Sequence, residues 1–371
     1  MKKSLIALAV LAASGAAMAQ SSVTLYGVAD AYVASKKVNK VTTNGSALVL
    51  SNQRQALVET AGLSGSRWGM KGSEDLGGGL NAVFTLEAGY NIDTGAAADS
   101  ASTFNRQAFV GLSSNSFGTV ALGRQYGAYD GIKGSFFSAQ GNSPSFDATN
   151  GVTFSQADIA AVDAYETALA PTAAQATAAA AVLTKQAGRI GAWTGYAARF
   201  NNSVSYTTPS FSGFKGSVVY GFGENKTATT DATENISVGL SYANGPIGVA
   251  LAYQQDELAT NFKLTNTGIG GYYDFGVAKA FLSFNAAEYD GVDTQNEWAV
   301  GVRAPMGATT LVAQYAHSKG DDLGKNTSFG LSAEYSMSKR TTAYAAFNQT
   351  KVELADNEKN TIFALGVRHQ F

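Results

Sequence analysis

Cysteine is absent from this chain of 371 residues, which also has only two histidines and five prolines. Without cysteine there is neither a disulfide framework nor a thiolate metal site, and no other cluster of metal-ligating residues stands out. The two histidines, His317 and His369, do not lie beside a nucleophile motif such as Gly-x-Ser-x-Gly. We therefore expect no enzyme activity, no catalytic residues, no metal and no cofactor.

Long apolar runs are also missing. The apolar run at residues 5–13 is far shorter than the ~20 residues that a membrane-spanning helix needs. It follows two lysines and precedes Ala-Met-Ala at 17–19, the small-x-small pattern that signal peptidase recognises. The pattern predicts a cleaved signal peptide over residues 1–19, export through the periplasm, and a mature chain of 352 residues that begins at Gln20.

A basic excess is missing as well. Without the two lysines of the signal peptide, the chain has 24 basic and 28 acidic side chains. Nucleic-acid binding usually depends on a clustered basic surface, so we expect no nucleic-acid partner.

Glycine and aromatic residues are abundant: 41 glycines, 17 tyrosines and 20 phenylalanines, at a mean hydropathy near zero. A membrane β-barrel needs this mixture because apolar side chains face lipid, polar ones face the lumen, and aromatics gather at the rims. A large soluble β-protein has a similar composition, so composition alone leaves both classes open.

Apolar and polar residues alternate with a period of two along many stretches, clearly so at 80–90, 214–223 and 328–337. This period is typical of β-strands with two unlike faces. Short turns alternate with longer polar stretches, as in an outer-membrane barrel with short turns at one rim and long loops at the other. The alternation predicts 16 strands, at 22–35, 63–73, 79–91, 103–114, 118–125, 199–208, 214–224, 234–244, 247–257, 263–275, 277–287, 296–304, 307–317, 327–337, 340–352 and 361–371. An even number of strands leaves both chain ends at the short-turn rim, where the last strand can close against the first.

Six stretches resemble the general trimeric porins of Gram-negative bacteria, in particular their beta-proteobacterial branch. They are SVTLYGVAD at 22–30, GSRWGMKGSEDLGGGL at 65–80, FNRQAFVGL at 104–112, FGTVALGRQ at 117–125, YSMSKRT at 335–341 and GVRHQF at 366–371. The resemblance implies an all-β, 16-stranded antiparallel transmembrane barrel in the outer membrane, assembled as a homotrimer. It also implies passive diffusion of small hydrophilic solutes and ions, contact with outer-membrane lipid and lipopolysaccharide, and an assembly signal at Phe371.

The resemblance further implies a third outer loop, at about 126–198, that folds into the pore and faces arginines on the barrel wall. The wall arginines correspond to Arg67, Arg106 and Arg199. Alternation independently places Arg67 and Lys71 on one face, which must be the lumen, because charges on the lipid face cost ~2–4 kcal/mol at the membrane midplane. Arg124 shares a face with apolar residues and is a candidate for the trimer contact instead.

Asp130 and Asp147 are the expected acidic partners on the infolded loop. The family commonly has a glutamate where this chain has Ser145, in the stretch Pro-Ser-Phe-Asp at 144–147. Fewer acids opposite intact arginines predict a constriction that favours anions.

The loop also carries an alanine-rich insert at about 155–187. Ser155 and Asp158 have the spacing of a capping box, and Pro171 is placed to begin a second helix. Two short helices that line, plug or cover the pore are expected. The alternatives to a general porin are a barrel enzyme, a solute-specific channel and a barrel without an open pore.

Overall fold

The computed structural model describes residues 22–187, 189–292, 294–321, 323–352 and 358–371, so the predicted signal peptide lies outside the described residues. The strands are β1 (Ser22–Asn44), β2 (Ala47–Thr60), β3 (Arg67–Gly77), β4 (Leu80–Gly89), β5 (Gln107–Ser114), β6 (Gly118–Tyr126), β7 (Gly151–Val152), β8 (Trp193–Thr194), β9 (Arg199–Thr207), β10 (Phe214–Gly221), β11 (Asn235–Asn244), β12 (Ile247–Ala259), β13 (Phe262–Asp274), β14 (Lys279–Tyr289), β15 (Gln295–Met306), β16 (Thr309–Gly320), β17 (Gly324–Ser336), β18 (Thr341–Val352) and β19 (Glu358–Gln370). The helices are α1 (Ala128–Ile132), a π-helical turn (Lys133–Phe137), α2 (Gln156–Glu166) and α3 (Ala173–Ala187).

The sheet closes into a barrel because β1 pairs antiparallel with β19, from Val28 opposite Gln370 to Lys37 opposite Thr361. Phe371 extends this seam through two backbone hydrogen bonds with Gly27, of 2.9 and 3.1 Å. A Cβ atom at Gly27 would lie 2.3 Å from the Phe371 ring, so only glycine leaves room for the terminal aromatic side chain.

The second barrel strand is broken into two segments. β2 pairs antiparallel with residues 31–44 of β1, nearer the long-loop rim, and β3 pairs antiparallel with residues 22–28 of β1, nearer the short-turn rim. Residues 61–66 lie between β2 and β3. Counting β2 and β3 as one strand gives a closed antiparallel barrel of 16 strands, which confirms the predicted fold class. Asp30 holds the break, because its carboxylate accepts hydrogen bonds from the backbone N–H groups of Gly62 and Ser64 and from the Tyr344 hydroxyl.

Two predicted boundaries near the N-terminus are wrong. β1 continues to Asn44 instead of ending near 35, and β2 occupies 47–60, where no strand is predicted. In β2 the consecutive side chains of residues 53–56 are all exposed, so this part has no apolar face to produce alternation. From β4 onward, each predicted barrel strand overlaps an observed one with ends within four residues.

The two faces of the barrel differ in polarity as a membrane requires. On β12, Val249 and Leu251 point outward and are about half exposed, whereas Ala250 and Ala252 point inward and are buried. Polar side chains such as Ser283 and Gln314 are buried on the luminal face. Among the described residues, no helix is both long enough and apolar enough to cross a membrane.

The third outer connection, between β6 and β9, folds into the lumen and follows its wall. Its outgoing half is bonded in turn to β11, β14, β16, β18 and β1, through Tyr129–Ser237, Tyr129–Asn285, Ser138–Gln314, Phe146–Asn348 and Ser145–Tyr32. Its returning half is bonded to β17, β16, β15 and β12, through Ile190–Ser328, Ala192–Ser318, Thr194–Glu297 and Ala197–Asp256. The parallel pair β7–β8 joins the two halves, and the insert lies between them.

The insert covers the outer mouth. α2 begins at the capping box of Ser155 and Asp158, whereas α3 begins two residues after Pro171 because Thr172 and Gln175 form a second reciprocal cap. On one side α3 packs on β1, where the Thr184 hydroxyl bonds to both backbone groups of Val41. On the other side Phe154 and Val182 pack against β13 and β14, across the barrel from β1. The helical insert therefore reaches across the outer mouth, from β1 on one side to β13 and β14 on the other.

The infolded loop fits the wall because glycines face it. A Cβ atom at Gly270 would lie 2.5 Å from the Phe137 ring and 2.8 Å from the Ser283 Cβ atom. Ser283 in turn donates a 2.9 Å hydrogen bond to the carbonyl oxygen of Phe137. The loop can therefore lie this close to β13 only because residue 270 has no side chain.

We predict that Gly270→Ala pushes Phe137 off the wall and lowers the free energy of unfolding by about 1–3 kcal/mol, as overpacked cores do. Single-channel current should also become noisier, since the loop loses its contact with Ser283. Thermal unfolding and bilayer recordings measure the two effects. Gly216→Ala is the control, because the nearest atom to its Cβ would be the flexible end of Leu240, at 3.2 Å, and the next ones lie at 3.6 Å or beyond. Equal behaviour of the two variants would contradict the prediction.

Candidate channel constriction

A cavity of about 800 Å³ lies between the barrel wall and the infolded loop, and basic side chains dominate its lining. Of the residues that the structure describes, seven bases and one acid, Asp130, line it; the bases are Arg67, Arg106, Lys133, Lys185, Arg189, Arg199 and Arg368. Tyr126 lines both this cavity and a second one of about 480 Å³ beside α1. Tyr126 therefore lies on the part of the lining that the two cavities share.

The structure brings the three wall arginines together around Tyr126. The Tyr126 hydroxyl accepts hydrogen bonds from Arg106 Nη2 at 2.6 Å and from Arg199 Nη2 at 2.8 Å. The Arg199 guanidinium also lies 4.5 Å from the centre of the Tyr126 ring, a cation–π distance. Arg67 faces the same cavity from β3, held at its Nη1 by the carbonyl oxygen of Gly65.

Glu87, which is not among the sequence-predicted site residues, neutralises part of this cluster. It is buried on β4 and forms ion pairs with Arg106 at 2.7 Å and Arg67 at 3.3 Å. The Tyr26 hydroxyl donates a further hydrogen bond to it at 3.0 Å. Alternation does place Glu87 on the polar face of its predicted strand. The ion pairs themselves depend on the register in which Gly69 lies opposite Glu87.

Asp130 faces the arginines from the first turn of the infolded loop. Its carboxylate accepts hydrogen bonds from the Tyr196 hydroxyl at 2.9 Å and from Asn142 at 3.1 Å. Burial raises the pKa of Asp130 above its usual 3.8, against the opposing effects of Tyr196, Lys133 and the arginines. Asp130 is therefore easier to protonate than an exposed aspartate.

The structure does not bring Asp147 to the arginines. Its carboxylate is fully buried inside the loop, 2.7 Å from the Lys133 ammonium, and accepts further bonds from Ser138 and Thr149. Asp147 thus holds the loop together and does not line the cavity. Ser145, at the family's usual glutamate position, bonds to Tyr32 and to the carbonyl oxygen of Ala61 at the break in the second strand.

Lys71, Arg124 and Phe371 lie away from the cavity. Lys71 is exposed on β3, four residues nearer the short-turn rim than Arg67, with its ammonium 5.3 Å from the Tyr26 ring. Arg124 shares the outward face with Val120 and Leu122 and bonds to Asn105 and Asn201. Phe371 lies on the β1–β19 seam.

Arg189 and Arg368 also line the cavity and are not among the sequence-predicted site residues. Arg189 donates to three loop carbonyls, and although burial lowers its pKa to about 10, it is still cationic at neutral pH. Arg368 on β19 donates to the Ser64 hydroxyl at 3.2 Å, in the break of the second strand. Neither forms an ion pair with a carboxylate within the described part of the chain. Arg368 lies in the GVRHQF motif, on the strand face opposite Phe371. Alternation within this motif is therefore a sequence signal that places Arg368 on the luminal face.

The described ranges contain no cluster of three or more potential metal ligands. The two histidines lie outside the cavity lining: His317 stacks on Trp298, and His369 bonds to the Thr341 hydroxyl.

A closed barrel with an apolar outer face, an infolded loop and a charged lumen defines a membrane channel. The Gram-negative porin family matches residues 5–354. Outer membrane porin protein 32 of Delftia acidovorans is 34% identical, and an outer membrane porin protein of Bordetella pertussis 32%, each over 100% of both chains. An anion-selective porin from Comamonas acidovorans superimposes with a TM-score of 0.71 at 27% identity, covering 95% of this chain and 100% of that one. The chain therefore belongs to the Gram-negative porin family, and it forms a passive channel in the outer membrane.

We predict that Glu87→Gln raises the chloride-over-potassium permeability ratio, because Arg67 and Arg106 lose their shared counter-charge. The ratio should rise roughly twofold or more in a narrow, weakly screened pore. Reversal potentials in a salt gradient measure it. Glu334→Gln is the matched control, since it removes an equal charge from β17, where Glu334 pairs with Arg303 at 2.7 Å, outside the cavity lining. An equal shift in both variants would count against a local role for Glu87.

Proposed function

We propose that this porin is an anion-favouring diffusion pore that works as a homotrimer and carries out no chemistry on its solutes. The charge balance of the cavity is the observation that carries the proposal. Seven basic residues line it, and four carboxylates either line it or pair with these bases: Asp130, Glu87, Asp147 and Asp158. The excess of three positive charges lowers the energy of an anion in a narrow passage.

Three further points support the proposal. The solved relative from Comamonas acidovorans, at 27% identity, is an anion-selective porin. Arg124 lies on the outer face beside exposed Val120 and Leu122, where its polar contacts with Asn105 and Asn201 suit a subunit contact better than bare lipid. The loop aromatics pack on one another, with Tyr129 and Tyr196 centred 4.7 Å apart, and do not form an open track for a specific solute.

Planar-bilayer recording of the purified protein tests the proposal. We expect closures in three equal steps, ohmic current that rises linearly with salt, and a reversal potential on the chloride side. Arg199→Gln should lower the chloride-over-potassium ratio roughly twofold, because it removes a luminal charge. Arg340→Gln, in an exposed short turn, should not. A potential on the potassium side would refute anion preference, whereas saturation by one solute would favour a solute-specific channel and absent conductance a closed barrel.

Acid should strengthen the anion preference, because Asp130 is the one carboxylate that the described residues contribute to the cavity lining, and protonation removes its charge. Since burial raises the pKa of Asp130, the change should have its midpoint above pH 3.8. Reversal potentials between pH 8 and 4, in the wild type and in Asp130→Asn, measure this effect. The variant should be more anion-selective at neutral pH and should change less on acidification. An unchanged titration in the variant would rule out Asp130 as its source.

A further inference from the structure

Lys185 is a basic residue of the cavity lining that comes from the alanine-rich insert rather than from the barrel wall. It lies in the last turn of α3, and its side chain is 43% exposed, so its ammonium group is accessible to solutes. Val152 of the β7–β8 pair and the neighbouring Thr153 line the same cavity below the insert. Because the insert covers the outer mouth, Lys185 lies at the outer end of the cavity.

The cavity extends inward from this end to the wall arginines. α3 contacts Val41, near the outer end of β1, whereas Arg67 lies opposite Val28, nearer the short-turn rim of the same strand. Lys185 and Arg67 thus line one cavity at two levels. A solute that arrives from outside meets the level of Lys185 first.

Contacts on two sides of the mouth hold the end of α3 in place. The Thr184 hydroxyl, next to Lys185 in the chain, donates to the carbonyl oxygen of Val41 at 2.8 Å and accepts from its N–H group at 3.1 Å. On the other side, Val182 packs with Phe154 against β13 and β14. The Lys185 ammonium lies 5.4 Å from the centre of the Phe154 ring, a cation–π distance. These contacts fix the position of the charge.

Asp158 balances the charge of Lys185. Its Oδ2 atom accepts a hydrogen bond from the Lys185 ammonium at 3.0 Å and another from the Ser155 N–H group at 2.8 Å, within the capping box of α2. Lys185 lines the cavity whereas Asp158 does not, so the ammonium is the nearer charge to a passing solute. The pair has no net charge, but the nearer cation leaves a weak positive potential at the cavity.

We propose that the insert is an outer charge filter, in which Lys185 determines how readily anions enter the channel from outside. The proposal rests on the anion-favouring pore proposed above and extends its selectivity from the constriction to the insert. A fixed charge at a wide mouth acts by changing the local concentration of ions. Salt screens this effect over about 10 Å at 0.1 M and about 3 Å at 1 M, whereas charges in a narrow, weakly hydrated passage are screened less. The filter and the constriction therefore differ in salt dependence.

The test is the current–voltage relation of single channels at 0.1 M and 1 M KCl, with the protein added from one side so that the channels share one orientation. The variants are Lys185→Gln, Asp158→Asn and the two combined. Asparagine still offers Ser155 an acceptor, so the cap of α2 is kept. The matched controls are Lys226→Gln and Asp231→Asn, which alter an ion pair of 3.1 Å in the outer loop between β10 and β11, outside the cavity lining.

At 0.1 M, the chloride current that enters from outside should be largest in Asp158→Asn, followed by the wild type, the double variant and Lys185→Gln. The extremes should differ roughly twofold, because one variant leaves a free cation beside the cavity and the other a free anion. At 1 M all four proteins should conduct alike, and the controls should follow the wild type at both concentrations. A Lys185→Gln current equal to that of the wild type at 0.1 M would overturn the proposal. A shift of all three variants in one direction would also overturn it, because the ion pair would then act only by holding the insert in place.

Reversal potentials distinguish this proposal from the proposed function. A wild-type potential on the potassium side would refute the anion-favouring constriction, while the order of the four chloride currents tests the filter alone. Arg199→Gln should shift the potential in gradients centred on either salt concentration, because Arg199 lies at the constriction. If the effect of Lys185→Gln persisted at 1 M as that of Arg199→Gln does, Lys185 would act as part of the constriction and the outer filter would be refuted.

Discussion

A backbone N–H or C=O group in the hydrocarbon core has no water to bond with, so every one of them must find its partner within the chain. The seam between β1 and β19 meets this requirement by removing the last free edges of the sheet. Once the sheet is closed, side chains have two destinations only, lipid or lumen. The apolar outer face and the polar inner face both follow from that closure, as does an interior wide enough to hold a folded loop.

The infolded loop faces the same requirement on a smaller scale. Its backbone runs along the barrel wall, and luminal hydroxyl, amide and carboxylate groups satisfy it strand by strand. The buried ion pair of Lys133 and Asp147 serves this end, since losing one partner would leave an unpaired charge at a cost of about 3–5 kcal/mol. Arg199 and Arg368, which form no ion pair within the described residues, are left on the cavity lining.

Sequence alternation predicts the barrel strands from β4 onward because each presents one face to lipid. It misses β2, which has polar, exposed residues on both faces. Motifs and alternation place Arg67, Arg106 and Arg199 on the wall; in the structure Tyr126 joins Arg106 to Arg199, and Glu87 joins Arg106 to Arg67. The partners of these arginines are harder to predict: Glu87 reaches them through strand register, and Asp147 is withdrawn from them by the three-dimensional path of the loop. Register and loop path are long-range properties that no local pattern encodes.

The β7–β8 pair separates two tasks within one connection. Its backbone ladder joins the outgoing and returning halves of the loop below the point where the insert leaves the wall. Because the β7–β8 pair fixes both ends of the insert, a change in the length of the insert does not have to shift the backbone at Tyr126 or Asp130. The outer surface of the insert can therefore vary, except at Lys185, which lines the cavity, and at Asp158, which pairs with it. For the same reason, the insert above the β7–β8 pair is a suitable place to graft a foreign peptide for display.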